Sequence, residues 1–336
     1  MVTLSKLQAA TDAPGPRPIR SVPETVVVSA VFTVLLTAFP WPKIFESMQG
    51  APLYDRGNYL EQIEDGYLTY DWFSYDSVLE YFTYEYLWGW ALRQLADLGI
   101  PGETILNAVA VAFLFSLSCT VAYYLPVPYL LLLVNPLVLT MAYSQSRSAT
   151  MATLLFLAAI TFRRHRILAV ALVLVATFVH TSTPLFLLLF FSAYYKRDSW
   201  GQPNSVVPPI LGGAVVSLLT GPLMGDVLSV LNDRRAEEYD MAAGWLFLSF
   251  WAYCLVFCVL MWRRMGQLLP VRLAVAVFSL AAFSIIFGGY PSRFISVFFA
   301  CVVVALAIDF ATYRRSALTL SLFTVYSLLL WYLQMR

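Results

Sequence analysis

Ten long apolar runs divide this chain, near residues 24–42, 103–122, 126–144, 148–162, 167–195, 206–224, 243–262, 268–288, 294–312 and 316–333. A run of about 20 apolar residues is what one helix needs to cross the hydrocarbon of a bilayer. Ten of them in 336 residues leave room for connecting loops but for no separate soluble domain. Backbone polar groups in lipid must be paired within the segment or with a closed sheet, so runs of this length imply helices. The expected fold is all-α, a polytopic integral membrane protein of about 10–11 transmembrane helices. Charge agrees with this, because only 12% of residues are charged, about half the fraction in ordinary soluble domains.

Short basic loops stay on the cytoplasmic side and so set the orientation. Lys6, Arg17 and Arg20 precede the first run, and Arg163, Arg164 and Arg166, then Lys196 and Arg197, then Arg263 and Arg264, then Arg314 and Arg315 follow later ones. Threading the runs between these clusters puts residues 43–102, the Ser144–Arg147 turn, 225–242 and the Gly288–Arg293 turn outside. Residues 1–23 form a polar cytoplasmic tail with an uncleaved signal-anchor after it, and 24–336 form one polytopic domain. The outer loop 43–102 is acidic, since Lys43 to Glu103 holds 11 of the 20 acids and three basic residues. Within it, Leu79–Leu98 reads as an interfacial helix too polar to span. The run 167–195 is basic at both ends and interrupted by His180-Thr181-Ser182-Thr183-Pro184. Two half-helices that enter from the cytoplasm, turn there and return would satisfy both ends.

Arg147, Arg234, Arg235 and Arg293 fall at outer ends of runs, against the bias that keeps arginine inside, and charge at that depth needs a partner. Guanidinium groups suit phosphate, which points to an anionic ligand such as a lipid pyrophosphate; ion pairs with Asp233, Glu237 and Glu238, or snorkelling to head groups, are the plainer alternative. His180 is the histidine inside an apolar segment, placed to bind phosphate oxygens or move a proton, or simply to satisfy neighbouring hydrogen bonds. Asp55 and Glu85 are the carboxylates chosen as a base that activates a sugar hydroxyl, although Glu85 would equally suit the dipole at a helix start. The dense aromatic series that includes Tyr59, Trp72, Tyr75 and Trp88 can stack on sugar rings or form an interfacial belt. Cys119, Cys254, Cys258 and Cys301 lie in apolar runs and read as core residues, without a disulfide framework or a metal site. Nucleotide-driven transport and metalloprotease chemistry lack their motifs here, with no Walker loop and no His-Glu-x-x-His.

The order of features resembles the EpsG-like, Wzy-type polysaccharide polymerases of bacterial membranes. The resemblance rests on Asp55 and Tyr59 in D-x-x-x-Y spacing, Glu85 before a segment that ends Leu95-Ala96-Asp97-Leu98-Gly99, and Asn135-Pro136 within an apolar run. Gln145-Ser146-Arg147 followed by Ala149, then His180-Thr181-Ser182, then Arg293 complete it. It implies a GT-C-like glycosyltransferase in the bacterial inner membrane that joins oligosaccharide repeat units carried on undecaprenyl pyrophosphate at the outer face, making O-antigen, capsule or exopolysaccharide. On that reading Arg147, Arg293 and Gln145 bind pyrophosphate, His180 assists there, Asp55 or Glu85 serves the acceptor, and the aromatic loop holds glycan. Arg234 and Arg235 join the pyrophosphate set on chemistry alone. Neither metal nor cofactor is implied; the expected partners are the lipid-linked oligosaccharide, membrane lipids and a chain-length regulator, with no nucleic acid. A flippase for the same lipid, a single-addition glycosyltransferase or ligase, and a non-catalytic docking subunit are the rivals.

Overall fold

The computed structural model describes residues 18–50, 53–64, 78–162, 164–195, 205–226, 244–313 and 317–334, and among these no strand occurs. In chain order the helices are α1 Val22–Thr37, α2 Trp41–Gln49, α3 Tyr54–Glu64, α4 Val78–Thr83, α5 Tyr86–Asp97, α6 Gly102–Tyr124, α7 Pro136–Tyr143, α8 Ser146–Thr161 and α9 Arg166–Val179. They continue as α10 Thr183–Tyr194, α11 Val207–Thr220, α12 Trp245–Leu260, α13 Trp262–Met265, α14 Leu269–Phe287, α15 Ser292–Val297, α16 Phe299–Tyr313 and α17 Ala317–Gln334.

Three of these are long and apolar enough to cross a membrane, namely α6, α14 and α17, and α1 with α2 passes the same test as a pair bent by 43°. Shorter apolar helices include α8 to α12 and the Phe299–Ala311 part of α16. The sidedness of α1 shows which solvent the chain is built for. A capping box at Ser21 and Glu24 starts the helix. It then buries Thr25, Ser29 and Thr33 while exposing Val26, Val27, Val31, Val34 and Leu35. Water-facing helices show the reverse pattern; small polar residues inward and aliphatic residues outward are how helices pack when lipid is outside. On α17 the exposed face again carries Leu318, Leu322, Val325, Leu328 and Leu333.

The interior is organised round α14, which is buried from Pro270 through Ala281 and packs on α11, α12, α16 and α10. Its contact with α11 is a close backbone approach, because a Cβ added at Gly213 would lie 2.2 Å from Ala276 O. Ser279 Oγ donates to Ile210 O at 2.8 Å across the same interface. A second, smaller apolar cluster of Tyr59, Trp88, Leu92, Ile105, Leu106 and Val179 pins α3 and α5 to one end of α6 and to the end of α9.

Three expectations about local structure change. The run 126–144 is not one helix: a 3-10 segment, Val127–Leu133, is followed by α7, with Asn135 capping Leu137 N at 3.0 Å and Pro136 in the first turn. The run 294–312 breaks between α15 and α16. The interfacial helix 79–98 breaks into α4 and α5 at Tyr84 and Glu85, and Glu85 lies in the left-handed region with φ 55°. The division of 167–195 agrees with expectation, since α9 ends at Val179 and α10 begins at Thr183 with Pro184 in its first turn.

Candidate functional site

Five segments distant in sequence converge at one end of the bundle. These are α3, the residue before α5, the start of α8, the α9–α10 turn and the start of α15. Helix direction places this end relative to the basic loops. Helix α8 runs from Ser146 toward Arg164, and α9 runs from Arg166 to Val179, so about 20 Å of helix separates the cluster from those arginines.

Glu85 is the hub. Its residue is 4% exposed, and its two carboxylate oxygens have different partners. Oε2 accepts from Arg147 Nη1. Oε1 accepts from His180 Nδ1 at 2.5 Å, and from Thr181 N at 3.2 Å and Thr181 Oγ1 at 3.3 Å. A buried carboxylate is costly unless paired and fully hydrogen-bonded, and here a guanidinium, an imidazole and a backbone amide share that task. Glu85 is the only non-glycine residue with positive φ among the described residues. Such a conformation costs on the order of 1–3 kcal/mol and persists where the surroundings enforce it. Glu85 makes no side-chain capping bond to α5, so its carboxylate is directed across the chain rather than to its own helix.

A carboxylate can only accept, so His180 Nδ1 carries a proton, and in the neutral ring Nε2 is then an acceptor. Ser148 Oγ stands 3.0 Å from that nitrogen, and both residues are 4% exposed. His180 lies where α9 has ended and α10 has not begun, and Thr183 Oγ1 donates to His180 O at 2.6 Å and to Ala176 O at 2.8 Å, which fixes the turn.

Arg147 also lies over the Tyr59 ring, 5.5 Å from its centroid. Tyr59 meets Trp88 edge-on at 5.6 Å. Asp55, partly buried one turn before Tyr59, is close enough to interact electrostatically with both Tyr59 and Arg147. Arg293 interacts with His180 across the cluster and lies over Tyr290 at 5.9 Å. Several buried polar atoms here have no protein partner: Arg293 Nε, Gln145 Oε1, Ser146 Oγ and Trp88 Nε1. Buried polar groups in native proteins are ordinarily satisfied, so a run of orphans beside a charged cluster marks a place for ligand or water.

Of the residues singled out from the sequence, Glu85, His180, Arg147, Tyr59 and Trp88 are joined by direct contacts or ring packing. Asp55, Gln145 and Arg293 border them. Arg234, Arg235, Trp72 and Tyr75 lie outside the described residues, as do Asp233, Glu237 and Glu238. Arg147 takes its partner from Glu85. Two further residues join the hub. Ser148 and Thr181 bond to the hub pair. Arg56, 3% exposed, is bound through Nη2 to Glu103 and, at 3.0 Å, to Asn107 Oδ1, with Nε and Nη1 unpartnered.

Comparison with known proteins finds no matching family model, no matching curated protein and no matching solved structure.

Proposed function

We propose that this chain is a Wzy-type polymerase with a GT-C-like architecture, joining lipid-pyrophosphate-linked oligosaccharide repeat units at the outer face of a bacterial inner membrane. In this reading the helices thread the bilayer about 10–11 times, with the shorter apolar helices completing the crossings. The basic loops face the cytoplasm, so the cluster round Glu85 faces outside.

The observation that carries the proposal is the convergence of Glu85, Arg147, His180, Tyr59 and Trp88, with Arg293 beside them. Arginines that act on a departing pyrophosphate must be fixed before the reaction, because preorganised charge stabilises a transition state without reorganisation. Glu85 fixes Arg147 and His180 together. Arg147 keeps 30% of its side-chain surface exposed, which leaves donors for phosphate oxygens. Arg293 Nε and the first turn of α8, where Gln145 makes no side-chain cap bond, add unsatisfied donors, and helix N-termini favour anions. Glu85 is committed to its partners, so acceptor activation falls to Asp55 on the rim. The acceptor hydroxyl passes its proton to that carboxylate as its oxygen bonds to the anomeric carbon and the pyrophosphate leaves. Trp88 offers the glycan its unpartnered indole N–H, while Tyr59 packs beneath the Arg147 guanidinium.

The test is polymerisation in lipid by the full chain given its own undecaprenyl-pyrophosphate repeat unit, with chelator present and products separated by size. The expected outcome is a ladder that Arg147→Ala abolishes. A preparation that binds the substrate and makes no ladder sinks the polymerase, and one discrete shift in its place indicates single transfer.

A further inference from the structure

Both ring nitrogens of His180 are engaged, Nδ1 by Glu85 and Nε2 by Ser148. The group placed to hand a proton to this imidazole is therefore the Ser148 hydroxyl. Carboxylate, imidazole and hydroxyl stand in the order that activates a serine: the acid holds the ring in one tautomer, and the ring takes the hydroxyl proton. The links measure 2.5 Å and 3.0 Å, and all three residues are 4% exposed, so water does not compete for the hydrogen bonds.

Its position on α8 favours the same chemistry. Ser148 is the third residue of a 16-residue helix whose N-cap, Gln145, makes no side-chain capping bond. First-turn amides at a helix start have no intrahelical acceptor, and they carry the positive end of the dipole. Negative charge developing on a serine oxygen, or on an oxyanion next to it, is stabilised there. Serine in an apolar helix more often donates to the carbonyl four residues back, as Ser118 does to Leu114 O at 2.7 Å. Ser148 is directed to His180.

We propose that Ser148 is an activated nucleophile that accepts an acyl group from an ester or thioester donor and passes it to a hydroxyl acceptor. Ser148 Oγ bonds to the donor's carbonyl carbon while its proton moves to His180 Nε2. The bond to the alcohol or thiol leaving group then breaks, and that group departs with the proton. The acceptor hydroxyl attacks the acyl-serine with its proton taken by the same nitrogen, and Ser148 is regenerated. Glu85 stabilises the imidazolium in both steps. This goes beyond the glycosyl-transfer reading, which gives the Ser148 hydroxyl no role and needs no acyl donor.

A small fluorophosphonate tests it without glycan or lipid-linked substrate. An activated serine forms an O–P bond as fluoride leaves, and intact mass of the full chain in lipid nanodiscs reads the adduct. The expected result is one adduct on the peptide containing Ser148, absent in Ser148→Ala and formed at least tenfold more slowly in Glu85→Gln. The proposal is overturned by an unlabelled parent protein of native size and helicity, or by an adduct that persists in Ser148→Ala. Either result leaves the ladder assay to judge polymerisation separately.

Discussion

The α11–α14 interface and the cap formed by α3, α5 and the start of α8 are held together by different physics. At the first, Gly213 lets two backbones meet, Ser279 bonds a carbonyl across the gap, and α14 is buried along most of its length. At the second, a small apolar cluster supports a carboxylate, a guanidinium and an imidazole in mutual contact, with a strained backbone at Glu85. Shape sets the cost of change in the bundle, and charge sets it in the cap. Substitutions should therefore separate the two, with bundle changes altering stability and cap changes altering chemistry out of proportion to stability.

Arg147→Ala is the largest expected break. Removing one preorganised donor from a transition state costs roughly 100- to 1,000-fold in rate, and stranding the partner of a buried ion pair costs about 3–5 kcal/mol. Polymer formation should fall by that factor, and thermal unfolding in detergent should move down. Adding Glu85→Gln to Arg147→Ala should recover part of the stability and none of the activity, because the uncompensated charge is gone while the site stays empty. Recovery of activity in the double variant would mean that the pair is structural. Glu85→Gln alone should come next in effect. It keeps the size and the left-handed turn but weakens the hold on His180 and Arg147, so rate should fall more than ligand affinity.

The same contrast explains what could be read from the sequence. The cap's charges were legible because arginine at the ends of apolar runs opposite the basic loops stands out from the charge pattern of the chain, and the His180–Pro184 turn was legible because polar residues and a proline interrupt a run. The break at Glu85 was not, since Tyr84-Glu85-Tyr86 carries neither glycine nor proline to announce a positive φ. Ser148 gave no signal, because serine in an apolar helix is ordinary and its partner lies 32 residues away. Arg56, next to Asp55, looks in the sequence like any loop arginine, and only its burial against Glu103 and Asn107 sets it apart. Asn135-Pro136 stood in plain view inside a run, and here the hydropathy of the run outweighed the proline that ends one segment and starts α7.

Gly213→Val sharpens the comparison from the bundle side. An added Cβ would lie 2.2 Å from Ala276 O and 2.7 Å from Leu280 N, both backbone atoms that cannot step aside. The helices must separate, and overpacking of this kind typically costs about 1–3 kcal/mol. Thermal unfolding in detergent should fall by several degrees, while the fraction that remains folded should polymerise at close to the parent rate. Loss of activity per folded molecule would couple the bundle to the cap.

Trp88→Phe should have the smallest effect and probes the cap most selectively. The indole nitrogen is buried without a protein partner, so removing its N–H takes no bond from the protein, and the phenyl ring retains much of the packing against Tyr59. A loss of ring volume in a buried site costs on the order of 1 kcal/mol, which limits the change in unfolding temperature. If the orphaned N–H serves a glycan oxygen, substrate affinity should fall several-fold, since a neutral hydrogen bond is worth about 0.5–1.5 kcal/mol. Binding measured by calorimetry with the lipid-linked repeat unit decides it. Unchanged affinity would assign Trp88 to the packing of α5 on α6.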